Sequence, residues 1–301
     1  MGSVRIAALA AVAAVTITST AASAADAPCQ PQYPNGPLPP ECVAPPPPPP
    51  PPVVEEWGGW YIRGDIGMTN QAVSTLDNAL YATATGLRLV DMNFESGNLF
   101  GLGVGYKWNS WLRLDFTGEY RGETGFHGMD IYNVGPLPAD QRFNNYTAKK
   151  SEWLYLMNVY ADLGTWNGVT PFVGAGIGFS RIGIHSFRDM GTDGLNVTLG
   201  YADSAYKWNV AYAFHAGLAY EVTKNFTVEL AYRYVYLGDG ESGDIIAYDG
   251  TNAIRNPMLF KGIDSHDLKL GLRYQFASAV YQQQPVYQQQ QPLFQPLMRR
   301  F

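Results

Sequence analysis

The chain has 301 residues, a formal net charge of −6, 15% charged residues, 14% aromatics and 32 glycines. An ordinary soluble domain carries about 25% charged residues, so the composition points away from one. The acidic balance argues against a nucleic-acid partner, which needs a basic patch. Past the N-terminus there is no run of about 18 apolar residues to make a transmembrane helix.

Residues 1–24 read as a signal peptide. Arg5 precedes the apolar run Ile6 to Ile17, and Ala22-Ser23-Ala24 fits a small-residue cleavage site, with Ala25-Asp26-Ala27 as a second. The mature chain therefore leaves the cytoplasm. Residues 25–56 read as a Pro-rich periplasmic linker. Its unbroken run Pro45 to Pro52 stiffens into polyproline II, a spacer of roughly 25 Å. Both cysteines, Cys29 and Cys42, lie in this arm. A disulfide could close the short loop between them in an oxidising periplasm. Neither has a neighbouring histidine to suggest a metal site or a nucleophile.

Residues 57–276 carry eight segments with period-two alternation: Trp60 to Met68, Asn98 to Trp108, Leu112 to Arg121, Glu152 to Leu163, Val169 to Ile182, Trp208 to Val222, Phe226 to Tyr236 and Asp267 to Phe276. In the last, Leu268, Leu270, Leu272, Tyr274 and Phe276 alternate with Asp267, Lys269, Gly271, Arg273 and Gln275. Each segment is near the 9–11 residues a tilted strand needs to cross a bilayer. Three connections are short: Asn109-Ser110, Gly164 to Gly168 and Thr223 to Asn225. Four are long, at about 69–97, 122–151, 183–207 and 237–265. An even strand count with short turns on one side and long loops on the other predicts an all-β fold: an eight-stranded antiparallel up-and-down transmembrane β-barrel. Both termini then fall on the periplasmic, short-turn side, and the four long loops are extracellular. Tryptophans agree. Trp57, Trp60, Trp108, Trp111 and Trp166 sit at strand ends on the short-turn side, Trp153 and Trp208 on the other, as two interfacial girdles require. Residues 277–301 are a low-complexity Gln/Pro tail with no means of burying a core.

If the apolar face meets lipid, the polar face lines the lumen. Its cations are Arg63, Lys107, Arg113, Arg121, Arg233, Lys269 and Arg273. Its anions are Asp65, Asp115, Glu119, Glu152, Asp162, Glu221, Glu229 and Asp267. So narrow a barrel is filled by its own side chains, so these charges read as a salt-bridged plug in preference to an ion path. The inward glycines of the second and fifth segments make room for the long side chains. His215 points inward with no serine partner at any useful spacing, so it reads as a lumen histidine and not a catalyst. The acidic loop Gly238 to Asp244 misses EF-hand spacing. No cofactor, metal site or enzymatic activity is expected.

Three stretches carry a resemblance: Trp57 to Gly67, Thr170 to Gly178 and His266 to Tyr274. They resemble the porin-family, OmpA/OmpX-like eight-stranded outer-membrane proteins of Gram-negative bacteria, the opacity-protein-like surface antigens above all. The resemblance implies residence among outer-membrane lipid and lipopolysaccharide, insertion by the barrel-assembly machinery, and a structural or surface role. It also implies an assembly signal at Tyr274 and Phe276. The family usually ends its chain there, whereas here the Gln/Pro tail follows. The function expected is a surface protein with an envelope or surface-interaction role. The alternatives are a narrow porin-like diffusion channel and an outer-leaflet lipid-modifying enzyme. The proline spacer suggests that an arm reaches peptidoglycan or a periplasmic protein.

Overall fold

Period-two alternation gives a strand two chemically different faces, and a closed sheet can devote one face to each side. The computed structural model describes residues 58–136, 140–192 and 196–276. The signal peptide, the linker with Cys29 and Cys42, Trp57 and the Gln/Pro tail lie outside the described residues. The strands are β1 (Gly59–Asp77), β2 (Thr85–Phe94), β3 (Gly97–Lys107), β4 (Leu112–Asn133), β5 (Gln141–Asp162), β6 (Val169–Thr192), β7 (Val197–Ala202), β8 (Ala205–Glu221), β9 (Phe226–Glu241), β10 (Ile245–Ala247) and β11 (Leu259–Gln275). Eight of these pair antiparallel in the succession β1, β3, β4, β5, β6, β8, β9, β11, and β11 returns to β1 to close the ring. Each of the eight alternating segments falls on one ring strand, with Trp108, Leu163, Val222 and Phe276 one residue past the strand ends.

The short connections are built by local chemistry. Asn109 Oδ1 accepts from the backbone N–H groups of Trp111 and Leu112 at 3.0 and 2.7 Å, turning β3 into β4. Thr223 Oγ1 caps the β8–β9 turn through the N–H of Phe226 at 3.1 Å. Between β5 and β6, Asn167 and Gly168 both have positive φ, 52° and 81°. Trp166 and Val169 exchange backbone hydrogen bonds across them. That is the tight hairpin for which Asn-Gly is suited.

The outer face of the ring is an apolar band. Leu102 and Met157 are 76% and 69% exposed, with Ile62, Ile66, Phe116, Ile177, Phe214, Leu230 and Leu270 exposed beside them. Water would make so large an apolar surface an aggregation site; hydrocarbon satisfies it. Trp60, Trp108, Trp111 and Trp166 lie exposed at the short-turn edge of this band. At the other edge Tyr120, Trp153, Tyr155 and Trp208 form successive ring contacts at 5.1, 6.3 and 6.3 Å. Tyr212 and Tyr236 stack at 5.1 Å farther round.

Beyond that aromatic edge the structure departs from expectation. The stretches read as long loops are largely sheet. β1, β4, β5, β6, β8, β9 and β11 all run on past the band, and β2, β7 and β10 are added there, on β4 and β1, on β6 and on β7. The chemistry of the faces changes at the same level. On β5 the outward residues are Val159, Met157, Tyr155 and Trp153, then Ser151, Lys149 and Thr147. Inside, Phe94, Phe126, Phe187 and Phe260 are buried together, with ring centroids 4.9–6.5 Å apart. They belong to an apolar cluster that also takes in Val73, Ile184, Leu237 and Ile263. A sheet standing in water must put its apolar residues inside, the reverse of a sheet standing in lipid. Register shifts between Arg121 and Thr124, Thr147 and Lys149, and Ile263 and Asp264 accompany the change. So Gly238 to Glu241, expected in the acidic loop Gly238 to Asp244, lies in β9, where Asp239 accepts from the Gly262 N–H at 2.9 Å.

Replacing Phe126 by Ala, at the centre of this cluster, is expected to cost about 3–5 kcal/mol in the extension. Limited proteolysis should then cut between 69 and 97 or between 122 and 151 while the band keeps its folded electrophoretic mobility. Uniform loss of both would show the extension and the band to be one cooperative unit.

Candidate functional site

Within the band every second residue of each strand turns inward, so the interior is set by strand parity. On β1 those residues are Tyr61, Arg63 and Asp65, and on β3 they face Gly105, Gly103 and Gly101. The glycines are needed. A Cβ on Gly101 would come within 2.8 Å of the Glu119 Cγ, and one on Gly103 within 3.0 Å of the Arg63 Cγ. Gly271 on β11 leaves the same kind of space beside Asp65.

Ion pairs run continuously through this interior. From the extension downward, Lys150 meets Glu152 at 2.5 Å, Glu152 meets Arg121 at 2.5 Å, and Arg121 meets Asp267 at 2.6 Å. Arg233 joins Asp267 to Glu119, each at 2.6 Å. Lys269 links Glu119 at 2.6 Å to Asp65 at 3.6 Å. Arg63 holds Asp65 at 2.8 Å, Asp115 at 2.9 Å and Glu229 at 3.2 Å. Glu229 also receives Arg113 at 3.0 Å and Arg273 at 2.8 Å, and Arg113 ends the path on Asp162 at 2.8 Å. Seven cations and seven anions take part, all nine-tenths buried or more. In a low-dielectric interior each pair survives only because its desolvation is offset by its partners, and one unmatched charge would be costly.

Thirteen of the fifteen charged residues expected inside take part in this network. Two do not. Glu221 is exposed at the short-turn end. Lys107 is half-buried there and enters no ion pair of the path. Both sit where strands leave the band, so water reaches them. One member was missed. Lys150 lies on the same face of β5 as Glu152, but it falls in a stretch read as loop. Its even spacing from Glu152, Leu154 and Leu156 was the available signal.

Neutral groups fill the gaps. Asn158 Nδ2 donates to Asp115 at 2.8 Å and to Thr117 at 3.1 Å. Tyr61 Oη donates to Asp115 at 3.1 Å, and Gln71 Nε2 to Glu152 at 3.3 Å. The Tyr160 ring lies under the Arg113 guanidinium, 4.9 Å from its carbon. His215 is buried as expected, with Nε2 3.2 Å from Asn158 Oδ1 and its ring edge-on to Tyr160 at 5.3 Å. The His–Ser pair is elsewhere: His185 Nε2 lies 3.0 Å from Ser151 Oγ just beyond the aromatic edge of the band. Among the described residues no carboxylate is within ion-pair distance of His185. Tyr274 and Phe276 end the last strand on the outer face, half-exposed and edge-to-face at 5.5 Å.

Residues 44–276 match the family described as the outer membrane protein beta-barrel domain. The chain is 27% identical over 247 residues to an uncharacterized protein of Brucella abortus (strain 2308), covering 72% of this chain and 85% of that one. It is 28% identical over 177 residues to the outer membrane protein PagN of Salmonella typhimurium, covering 55% and 65%. Among solved structures it is similar to the outer membrane protein OprG from Pseudomonas aeruginosa, at 14% identity and a TM-score of 0.44, covering 74% and 98%.

Arg233, fully buried between two carboxylates, is expected to matter more than Arg273. The Arg273 Nη1 lies close to Glu229 but lacks hydrogen-bond geometry, and Glu229 keeps two other cations. R233M should lower the stability of the folded barrel by about 3–5 kcal/mol, and R273M by distinctly less. Urea unfolding in lipid vesicles, followed by tryptophan fluorescence, measures both. The opposite order would remove the centre of the network from Arg233.

Proposed function

The chain belongs to the outer membrane protein beta-barrel domain family, and from that membership we propose that it is a non-enzymatic surface barrel with a closed lumen. The band is its anchor, and the sheet and loops beyond the aromatic edge are its working end. The observation that carries this reading is the unbroken ion-pair path from Lys150 to Asp162. Each charged side chain in it is spent on another, leaving none free to pass a solute. The short-turn end faces the periplasm, and the extension faces outward. A ring of eight strands returns the chain to the end at which it started, so linker and tail both belong to the periplasm. The proline-rich sequence of the linker supports peptidoglycan or a periplasmic protein as the partner of that arm.

Other partners follow from the same placement. Hydrocarbon covers the apolar band. Arg181, on the outer face of β6 between Trp153 and Trp208, lies over the Tyr206 ring at 4.1 Å. At headgroup depth it suits a lipopolysaccharide phosphate. Tyr274 and Phe276 close the last strand as the segment offered to the barrel-assembly machinery.

A second reading, hydrolysis of an outer-leaflet lipid ester, has the Ser151–His185 contact in its favour. It lacks the acid that would orient the imidazole.

In planar bilayers the refolded full chain is expected to show no stable conductance steps. Regular open-channel steps would replace this reading with a diffusion channel. Changing Ser151 to Ala should leave the lipid A acyl pattern of whole cells unaltered. A changed pattern would make the protein an esterase.

A further inference from the structure

The extension is hollow at its mouth. Above the apolar cluster lies a cavity of about 430 Å³, within the range of small-molecule sites. Two carboxylates line it, Asp130 from β4 and Asp189 from β6. Strand β5 runs between them and presents Asn144 opposite Asp130 and Tyr146 opposite Asp189. Asp130 is fully buried and satisfied: Oδ1 accepts from Asn144 Nδ2 at 3.2 Å and Oδ2 from Tyr146 Oη at 2.5 Å. Asp189 is not. Its Oδ1 is shut off from solvent and receives no hydrogen bond. A buried carboxylate oxygen without a donor is among the more costly arrangements a fold can keep.

The charges around it do not relieve this. Arg188, the next residue in the chain, is exposed on the opposite face of β6. Arg142 on β5 is four residues from Tyr146, the residue opposite Asp189, and donates from Nη1 to the Gln141 carbonyl at 3.0 Å. The other titratable groups facing Asp189 are acids: Asp130 across β5, Tyr146 beside it, and Tyr81 above, whose hydroxyl is 3.4 Å from that of Tyr146. Burial, and then the Asp130 charge, push the Asp189 carboxyl up to about 7.

We propose that this cavity binds an aliphatic primary ammonium group, carried by a free diamine or by a lysine side chain of a polypeptide, with Asp189 and Asp130 as its paired acceptors. The sign of the site rejects anions. A neutral apolar guest would leave the Asp189 oxygen unmet. Among the described residues no group of three metal-ligating side chains exists. The carboxylates approach from strands on opposite sides of Tyr146. A compact group with three rotatable donors suits acceptors that approach from two sides. Tyr81 and Met258, whose oxygen and sulfur are 3.9 Å apart, supply an apolar wall for the methylene chain. The inference rests on the proposed function only for the side of the membrane from which the ligand arrives.

The test is calorimetric titration of the full chain, folded in detergent, with 1,5-diaminopentane, with Nα-acetyl-lysine N-methylamide and with the neutral Nα-acetyl-norleucine N-methylamide. At least one ammonium compound is expected to bind saturably, and the norleucine amide not at all. D189N, which removes no hydrogen bond from the fold, should weaken binding at least tenfold. A bound cation favours the ionised carboxylate, so affinity should rise about tenfold from pH 6 to pH 8. Binding of the diamine alone assigns a free amine as ligand, and binding of the lysine amide assigns a polypeptide. No binding by either ammonium compound, equal binding by D189N or by norleucine amide, or affinity flat from pH 6 to pH 8 overturns the proposal. The pH series needs no variant, so it decides even if D189N does not fold. None of these outcomes bears on conductance, so failure here leaves the closed-lumen reading standing.

Discussion

The pairing of β1 with β11 is the constraint on which the rest depends. Until those strands meet, the sheet has two open edges whose backbone groups hydrocarbon cannot satisfy. The pairing runs from Tyr61 opposite Gln275 to Asp77 opposite Leu259, so one contact closes both the band and its extension. Closure also fixes what must follow. A ring of eight strands has an interior about as wide as the side chains that enter it, and those side chains are dictated by parity. Once Arg63 faces in, so do Asp65 and Tyr61, and β3 must be glycine where they cross.

The enclosed charges then have to balance locally. The path of ion pairs contains as many acids as bases only when Lys150 is included, and Lys150 sits where band meets extension. Buried ion pairs are weak evidence of net stability. Their effect here is on specificity. A register slip of one residue would turn every charge of a strand toward lipid and every leucine toward the charges of its neighbours. The network therefore selects one register among many that backbone hydrogen bonding alone would accept.

The third feature is the change of solvent along each strand. The same β5 that shows Met157 to hydrocarbon shows Lys149 to water eight residues on. The interior answers with Phe94, Phe126, Phe187 and Phe260 in place of arginines. One sheet thus holds two cores of opposite polarity. The mouth above the second core is the region where a buried carboxylate can lack a donor, because a ligand entering from water can supply one.

The sequence alone determined the strands of the band. Alternation within Trp60 to Met68 or Asp267 to Phe276 is local, and a constant environment on each side keeps its phase constant. Parity also assigns charges to one face without knowledge of their partners, and the stretch Gly164 to Gly168 is legible as a short connection, while its turn at Asn167-Gly168 is seen in the structure. Only the tertiary structure decided what happens past the aromatic edge. There the outside changes from lipid to water, so the pattern inverts. Bulges near Arg121, Thr147 and Ile263 break its period, and Phe126 or Lys150 read as loop residues. Which acid meets which base, and that Asp130 and Asp189 share a cavity, depends on neighbours across the ring. A one-dimensional pattern carries the face of a residue but not the stagger between strands, and the stagger sets who touches whom.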